Sequence, residues 1–475
     1  MPLRYCVDRY DSLLNLHPRY NRAVKHHVSY EWFLTPNWMR RFGPFKLIKA
    51  NLLDRVGLHF YTLSSAMGGV MGGVFGLAGV VLTDKLNASD LQMGIYTMLS
   101  VVAMLFGIVS AEVVEGRDKR PYILWLGLIS RGAFLLFLFC YSSWVFIAIS
   151  ALFFMFHALV MPPMFAMWQA NISKEARSKL WGMTVIITTL ITMISAYIAG
   201  KVLDWNPDSF RWMFAAAGVI AMVGIVVLAL SPLRGMHHLT RPPESPSFQR
   251  WVVKPIKSFL GLMAEDRRYF HFEMVFFLYG LAVMLLFPIM PMYIVDVAHM
   301  SYEQAGIATV IIGQLATLVL PPVWGWVMDR TGPFFLCIVI FAILALFPGI
   351  LLIGMRFQDT PALVVAGVYI AYLVFGVGMS GVNVAWSMGP VMFAGKRDSS
   401  GYSGAHITIT GIRGLVGPML GALGKMYLGF GPVLATSAAL FLIGSIGMYL
   451  LRRHYGPPST WPENQPVLES TVTGA

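Results

Sequence analysis

Charge is what this sequence has least of. Only 12% of its 475 residues are Asp, Glu, Lys or Arg, while 57% are hydrophobic; a soluble domain carries about 25% charged residues. Most of the long apolar runs also lack a polar face, so a soluble fold would have to bury its helices on every side. Lipid is the simpler burial. Cysteine is nearly absent: Cys6, Cys140 and Cys337 have no paired spacing, which excludes a disulfide framework or a zinc site, and no metal or cofactor is expected. The first 57 residues contain no continuous apolar core of the signal-peptide kind.

What is present is apolar length. A membrane-spanning helix needs about 20 largely apolar residues, and twelve such runs are predicted at roughly 58–83, 91–114, 121–140, 143–168, 180–203, 210–231, 269–295, 303–328, 333–355, 361–390, 402–426 and 430–451. The expected fold is therefore an all-α membrane protein of twelve transmembrane helices in two six-helix halves. Its parts are an N-terminal extension at 1–57, a first bundle at 58–231, a linker at 232–268, a second bundle at 269–451 and a tail at 452–475. Of the 35 Lys and Arg, only Lys85, Lys201, Arg211, Arg356 and Lys425 fall in loops on the side opposite the termini. The positive-inside rule then predicts cytoplasmic termini, in the manner of a bacterial inner (plasma) membrane protein. The net charge of +12 is accounted for by this bias and gives no support to a nucleic-acid partner.

Residues 88–97, ASDLQMGIYT, match residues 300–309, MSYEQAGIAT, at five of ten positions with an offset of 212. Each opens an even-numbered span, the second and the eighth. An offset of six spans makes the halves parallel repeats, and transporters so built bind solute between the halves near the bilayer midplane.

After the eighth run stands the charged turn DRTGPF at 329–334, and after the second stands EGRDKR at 115–120. With twelve spans and parallel halves, these turns resemble the G-x-x-x-D-R-x-G-R-R signature of the major facilitator superfamily. Gly325, Asp329, Arg330 and Gly332 match it in the second half, where Pro333 and Phe334 depart from it; in the first half Glu115, Lys119 and Arg120 match, while Ala111, Gly116 and Asp118 do not. The resemblance implies secondary-active transport of a small-molecule substrate by alternating access, with the two turns as gating elements. Physically, Asp329 can latch onto the positive end of a neighbouring helix, Gly325 can admit a close neighbour, and Gly332 can turn the chain into Pro333.

Ionisable groups within hydrocarbon are costly and therefore functional candidates. Arg413 and His406, seven residues apart, share one face of the eleventh run, and His157 and Arg131 lie in the fourth and third. The resemblance places the first, fourth, seventh and tenth spans around the cavity with the second, fifth, eighth and eleventh flanking it, which makes Arg413, His157, His406, Gln314, Asn383 and Trp386, on lining or flanking spans, the candidate substrate-binding residues. Arg413 has two readings, solute contact or structural brace; His157 likewise reads as ligand or packing residue. No acid stands at the centre of a span, and Glu112 and Glu273 are expected near span ends, beside solvent or in a rim salt bridge. Fixed positive charge in the cavity predicts an anionic or amphiphilic solute.

Two rival functions arise. GYSG at 401–404, followed by His454, suggests an intramembrane serine protease, but Ser403 and His454 fall at the ends of their runs, and a nucleophile needs its base within about 3 Å; no enzyme is expected. A non-transporting scaffold or assembly factor is the alternative. Its support is the aromatic and basic stretch at 30–57, which suits either the lipid bilayer surface or a protein partner.

Overall fold

The computed structural model describes residues 52–105, 110, 118–172, 177–231, 254–394 and 399–457. In order, the α-helices are α1 (Leu52–Phe75), α2 (Ala78–Asp84), α3 (Asp90–Val102), α4 (Arg120–Gly132), α5 (Ser143–Asn171), α6 (Arg177–Trp205), α7 (Phe210–Ala229), α8 (Lys254–Glu265) and α9 (Arg267–Asp296). They continue as α10 (Tyr302–Gly306), α11 (Gly313–Val319), α12 (Pro321–Gly354), α13 (Pro361–Ala394), α14 (Ser399–Leu428) and α15 (Phe430–Tyr455). No strand occurs among the described residues. Residues 1–51 of the N-terminal extension, Glu112, Glu115, Gly116, most of the linker and residues 458–475 of the tail lie outside them, and residues 52–57, read as extension, begin α1.

Among the described residues ten helices are long and apolar enough to cross a bilayer, against the twelve expected of the whole chain. The difference lies in the second and eighth runs. α3 passes into a 3-10 turn at Ala103–Leu105 and then leaves the described residues. The eighth run is divided: a π-helical turn at Ile307–Ile312 separates α10 from α11, and Pro321, which has no N–H to donate, breaks the ladder again after Leu320. α12 is itself two arms. Gly332, at φ 81 and ψ 173, interrupts it between Thr331 and Pro333, so the turn read from the sequence is present. A side chain there would be strained, and Gly332→Ala is expected to cost about 1 kcal/mol or more, visible as a lower thermal unfolding midpoint of the purified protein.

The sequence repeat reappears as one turn built twice. Ser89 and Ser301 accept from the backbone N–H of Gln92 and Gln304, whose side chains return to the serine N–H groups, at 2.8 Å and 3.1 Å. Both are capping boxes. Two residues upstream, Asn87 and His299 each take φ 47. Three of the five matched positions thus have a local cause: Ser and Gln form the box, and Gly94 and Gly306 both sit at close helix contacts.

Packing is dense within each set of helices. α1 packs on α6 and α7, and α4 on α5 and α7; α9 packs on α14 and α15, and α12 on α13 and α15. Small residues set the distance. A Cβ added at Gly73 on α1 would collide with the Thr192 carbonyl on α6, and one at Gly421 on α14 with the Leu285 carbonyl on α9. Such contacts bind helices in lipid, where apolar area alone gives no advantage. Phe75, Phe134, Phe137, Phe146, Phe153 and Phe214 make an edge-to-face cluster in the first set, with centroids 4.9–6.5 Å apart.

Candidate transport pathway

The two sets of helices meet at one end, the face bearing the loops after α2, α6, α9 and α14, here called the distal face. The capping box leaves the N–H groups of Tyr302 and Glu303 without intrahelical partners. Asp204, at the end of α6, accepts from both, at 2.6 Å and 3.0 Å. A carboxylate there also meets the positive end of the helix. The approach is possible because residue 200, one turn earlier, is glycine: a Cβ would lie 2.6 Å from the Glu303 Cα. Tyr302 adds a hydrogen bond from its hydroxyl to Asp84, 2.6 Å away.

The other copy of the box is held from the opposite direction. Lys425, near the end of α14, pairs with Asp90 at 2.5 Å and with Asp296 at 3.7 Å, and Gly94 on α3 lies against Ala422 on α14. Each set of helices therefore grips the capped helix start of the other. Lys85, Asp208 and Arg211 join loops within the first set, at 2.8 Å and 3.1 Å. Loss of the Asp204 cap in Asp204→Ala is expected to remove about 1–2 kcal/mol of this closure. That is roughly a tenfold rise in the open fraction at the distal face, read as faster labelling of Thr309→Cys by an impermeant thiol reagent.

Beneath this closure lies a cavity of about 210 Å³. Phe75, Tyr96, Phe154 and Phe287 supply aromatic walls, with Thr97, Ser100 and Thr309 as the polar lining. The hydroxyls of Thr97, Ser100 and Thr309 bond carbonyls of their own helices at 2.8 Å. No charged side chain lines the cavity. The π-helical turn carries Thr309; such turns recur at functional sites.

Away from the distal face α3 remains packed on α14, where Val101 meets Gly414, whereas α6 makes no substantial contact with α12, nor α5 with α13. Gln314 on α11 and Asn383 and Trp386 on α13 are exposed.

The sequence profile described as Major Facilitator Superfamily matches residues 60–418 and 274–472. The chain belongs to this superfamily. A mutant of the nucleoside transporter NupG is similar in structure at TM-score 0.62 and 12% identity, covering 83% of this chain and 99% of that one. A bacterial homologue of the human lysosomal transporter Spinster, described as inward-facing and unoccupied, gives 0.58 and 13%, covering 85% and 98%. The human organic anion transporter MFSD10 gives 0.57 and 15%, covering 83% and 99%. These likenesses establish the fold. No curated protein matches the sequence significantly. The family is one of multi-pass membrane transporters rather than enzymes, and Ser403 is not paired with His454, which packs instead on Tyr455 at 4.5 Å.

Within this facilitator the sequence candidates divide. Gln314, Asn383 and Trp386 are exposed, whereas Arg413 is buried. Only 3% exposed, Arg413 donates to the Phe276 carbonyl at 3.1 Å and lies 5.6 Å from the rings of Phe276 and Tyr279, against Gly280. His157 is half-buried and stacks on Phe153 at 5.3 Å. The Nδ1 of His406 lies 2.8 Å and 3.0 Å from the two carboxylate oxygens of Glu273. Of the two expectations for Glu273, solvent or a rim salt bridge, the first does not hold: it is 0% exposed and its partner is His406. The apolar stretch around it, FHFEMVFF, was the available signal; its partner on α14 is 133 residues away.

The gating candidates are at the opposite rim. Asp329 and Arg330 are exposed, and Arg330 lies 4.2 Å over the Trp326 ring. Gly325 was expected to admit a close neighbour; nothing lies within 4 Å of a Cβ placed there. In the first copy Asp118 pairs with Arg120 at 3.0 Å and bonds its backbone N–H, so a carboxylate occupies the position where the signature has glycine. Lys119 precedes α4, half-buried.

Proposed function

We propose that this facilitator moves a small amphiphilic solute by secondary-active transport, the two six-helix halves exposing the cavity to each side in turn. One observation carries the reading: the halves are joined by reciprocal helix-start contacts at the distal face and diverge at the other. With the termini cytoplasmic, as the charge bias favours, this arrangement is the inward-open one. The open rim accounts for the exposure of Asp329 and the space at Gly325, since their partners belong to the state in which that rim closes.

The lining supports an amphiphilic solute with an aromatic or aliphatic body over an anion held by fixed charge. Arg413, on which the anionic expectation rests, has its guanidinium directed at a carbonyl and two rings. The cavity volume of about 210 Å³ lies below the ~300–1,000 Å³ of ordinary ligand pockets, which favours a small solute in this state. A thermal-shift screen of the purified protein should identify ligands, because binding to the folded form alone raises stability. Thr97→Trp fills the cavity and is expected to abolish the shift and reduce flux in proteoliposomes at least tenfold. Undiminished flux in Thr97→Trp contradicts the assignment of the cavity.

A further inference from the structure

Three breaks in helix regularity meet at the cavity beneath the distal closure, and two of them take a backbone carbonyl out of the helical ladder. Between α1 and α2 the Leu77 N–H turns to the Val74 carbonyl at 3.3 Å, which frees the carbonyl of Gly73. That oxygen lies 3.2 Å from a Cβ placed at Gly76, a lining residue. On α9, Pro291 has no N–H to give the carbonyl of Phe287, and both residues line the cavity. The third break is the π-helical turn that carries Thr309. The hydroxyls add acceptors of the same kind: Thr97 gives its hydrogen to Met93, Ser100 to Thr97 and Thr309 to Ala305, each at 2.8 Å. A hydroxyl whose hydrogen is so committed offers only lone pairs to the cavity. Among the described residues the only other hydroxyl in the lining is that of Tyr96.

We propose that this cavity selects a small organic cation, a protonated or quaternary amine, held by aromatic faces and oxygen lone pairs with no carboxylate in contact. The proposal rests on the assignment of the cavity as the solute site made above. Phe75, Tyr96, Phe154 and Phe287 contribute rings. The Phe154 ring stands 5.9 Å from that of Phe75 and 6.1 Å from that of Tyr96, inclined at 61° and 49°. Ring faces are the negative part of the aromatic quadrupole, so they attract an ammonium and repel an anion. A neutral body of the same shape gains only burial.

The field from the closure above has the same preference. Asp84 bonds the Tyr302 hydroxyl, and Asp204 bonds the N–H groups of Tyr302 and Glu303. These donors are neutral, so neither carboxylate is cancelled by a base, while Lys85, Lys201, Arg211 and Lys425 pair with other acids. Tyr302 stands two turns before Thr309, about 10 Å along the helix, a distance over which charge acts in a weakly screening interior. A cationic solute inverts the expectation drawn from Arg413, whose guanidinium donates to the Phe276 carbonyl.

The test is an isosteric series on the full-length protein in detergent: choline, the neutral alcohol with tert-butyl in place of trimethylammonium, and the tert-butyl-substituted acetate anion. Thermal-shift titration at constant ionic strength gives the apparent Kd of each. Choline is expected to bind about tenfold or more tightly than the alcohol, and the anion more weakly than either. In Phe287→Leu, which keeps apolar bulk but removes a ring face, the preference for choline over the alcohol should shrink about threefold or more; loss of packing alone would weaken both ligands and leave that ratio unmoved. Pro291→Ala returns an N–H to the Phe287 carbonyl and should shrink the ratio too, and it decides should Phe287→Leu fail to fold. No binding of choline, an alcohol that binds as tightly as choline, or a ratio unmoved in both variants overturns the proposal. Alcohol binding that is lost in Thr97→Trp, without any preference for choline, leaves the cavity standing as the solute site and removes only its charge selectivity. A choline preference that persists in Thr97→Trp removes the cavity assignment, and this proposal with it.

Discussion

Gly200→Leu is expected to abolish solute flux while leaving the protein folded and monodisperse. The glycine is at the distal end of α6, where a Cβ would already stand 2.6 Å from the Glu303 Cα and 2.9 Å from both the Glu303 nitrogen and the Tyr302 carbonyl oxygen. All three contacts are backbone atoms of a capped helix start, which cannot rotate away as a flexible side chain can. Leucine therefore holds α6 and α10 apart and removes the Asp204 cap. The cost falls on the state closed at this face, because the three atoms nearest the added Cβ all belong to the second half. To move a two-state equilibrium from 1:99 to 99:1 takes about 5.5 kcal/mol, and a steric clash with backbone is among the few single changes able to supply that much. Flux in proteoliposomes should fall at least a hundredfold. Binding to the state open at the distal face should survive.

Glu273→Ala is expected to have the largest effect on stability. It leaves His406, buried at 2% exposure, without the carboxylate that lies 2.8 Å and 3.0 Å from its Nδ1. Leaving a buried polar group without its partner costs about 1–3 kcal/mol, to which the emptied side-chain volume adds. The unfolding midpoint should drop well below that of Gly332→Ala, whose penalty is confined to one backbone torsion. Glu273→Gln should recover much of the loss, since it restores an acceptor for Nδ1. Equal destabilisation by Ala and Gln would mean that packing, and not the acceptor, is what Glu273 provides.

The sequence carried the parts of this fold that arise locally. Apolar length located the spans, and the ten-residue repeat was read as a duplication before the capping boxes explained its Ser and Gln. Gly332 was legible because a tight turn into Pro333 requires positive φ. What could not be read depends on helices meeting across the chain. Asp204 looks like an ordinary loop acid, and only the fold brings it to two N–H groups 98 and 99 residues away. Glu273, expected to meet solvent or a rim salt bridge, is instead buried against His406, because α14 covers it from the side. Arg413 was correctly singled out as costly, yet the cost is met by the Phe276 carbonyl and two rings. The interruptions at Ile307–Ile312 and Pro321 divide the eighth run, which hydropathy does not register since the residues remain apolar.

The central claim is that the distal contacts are a closure that opens during transport. Spin labels placed at the exposed positions Asn206 and Asp359 report the distal face, and labels at Ala170 and Val391 report the opposite rim; pulsed dipolar spectroscopy in lipid gives both distance distributions. The account predicts that Gly200→Leu lengthens the first distance and shortens the second. Distributions that do not differ between wild type and Gly200→Leu, in either pair, would contradict it.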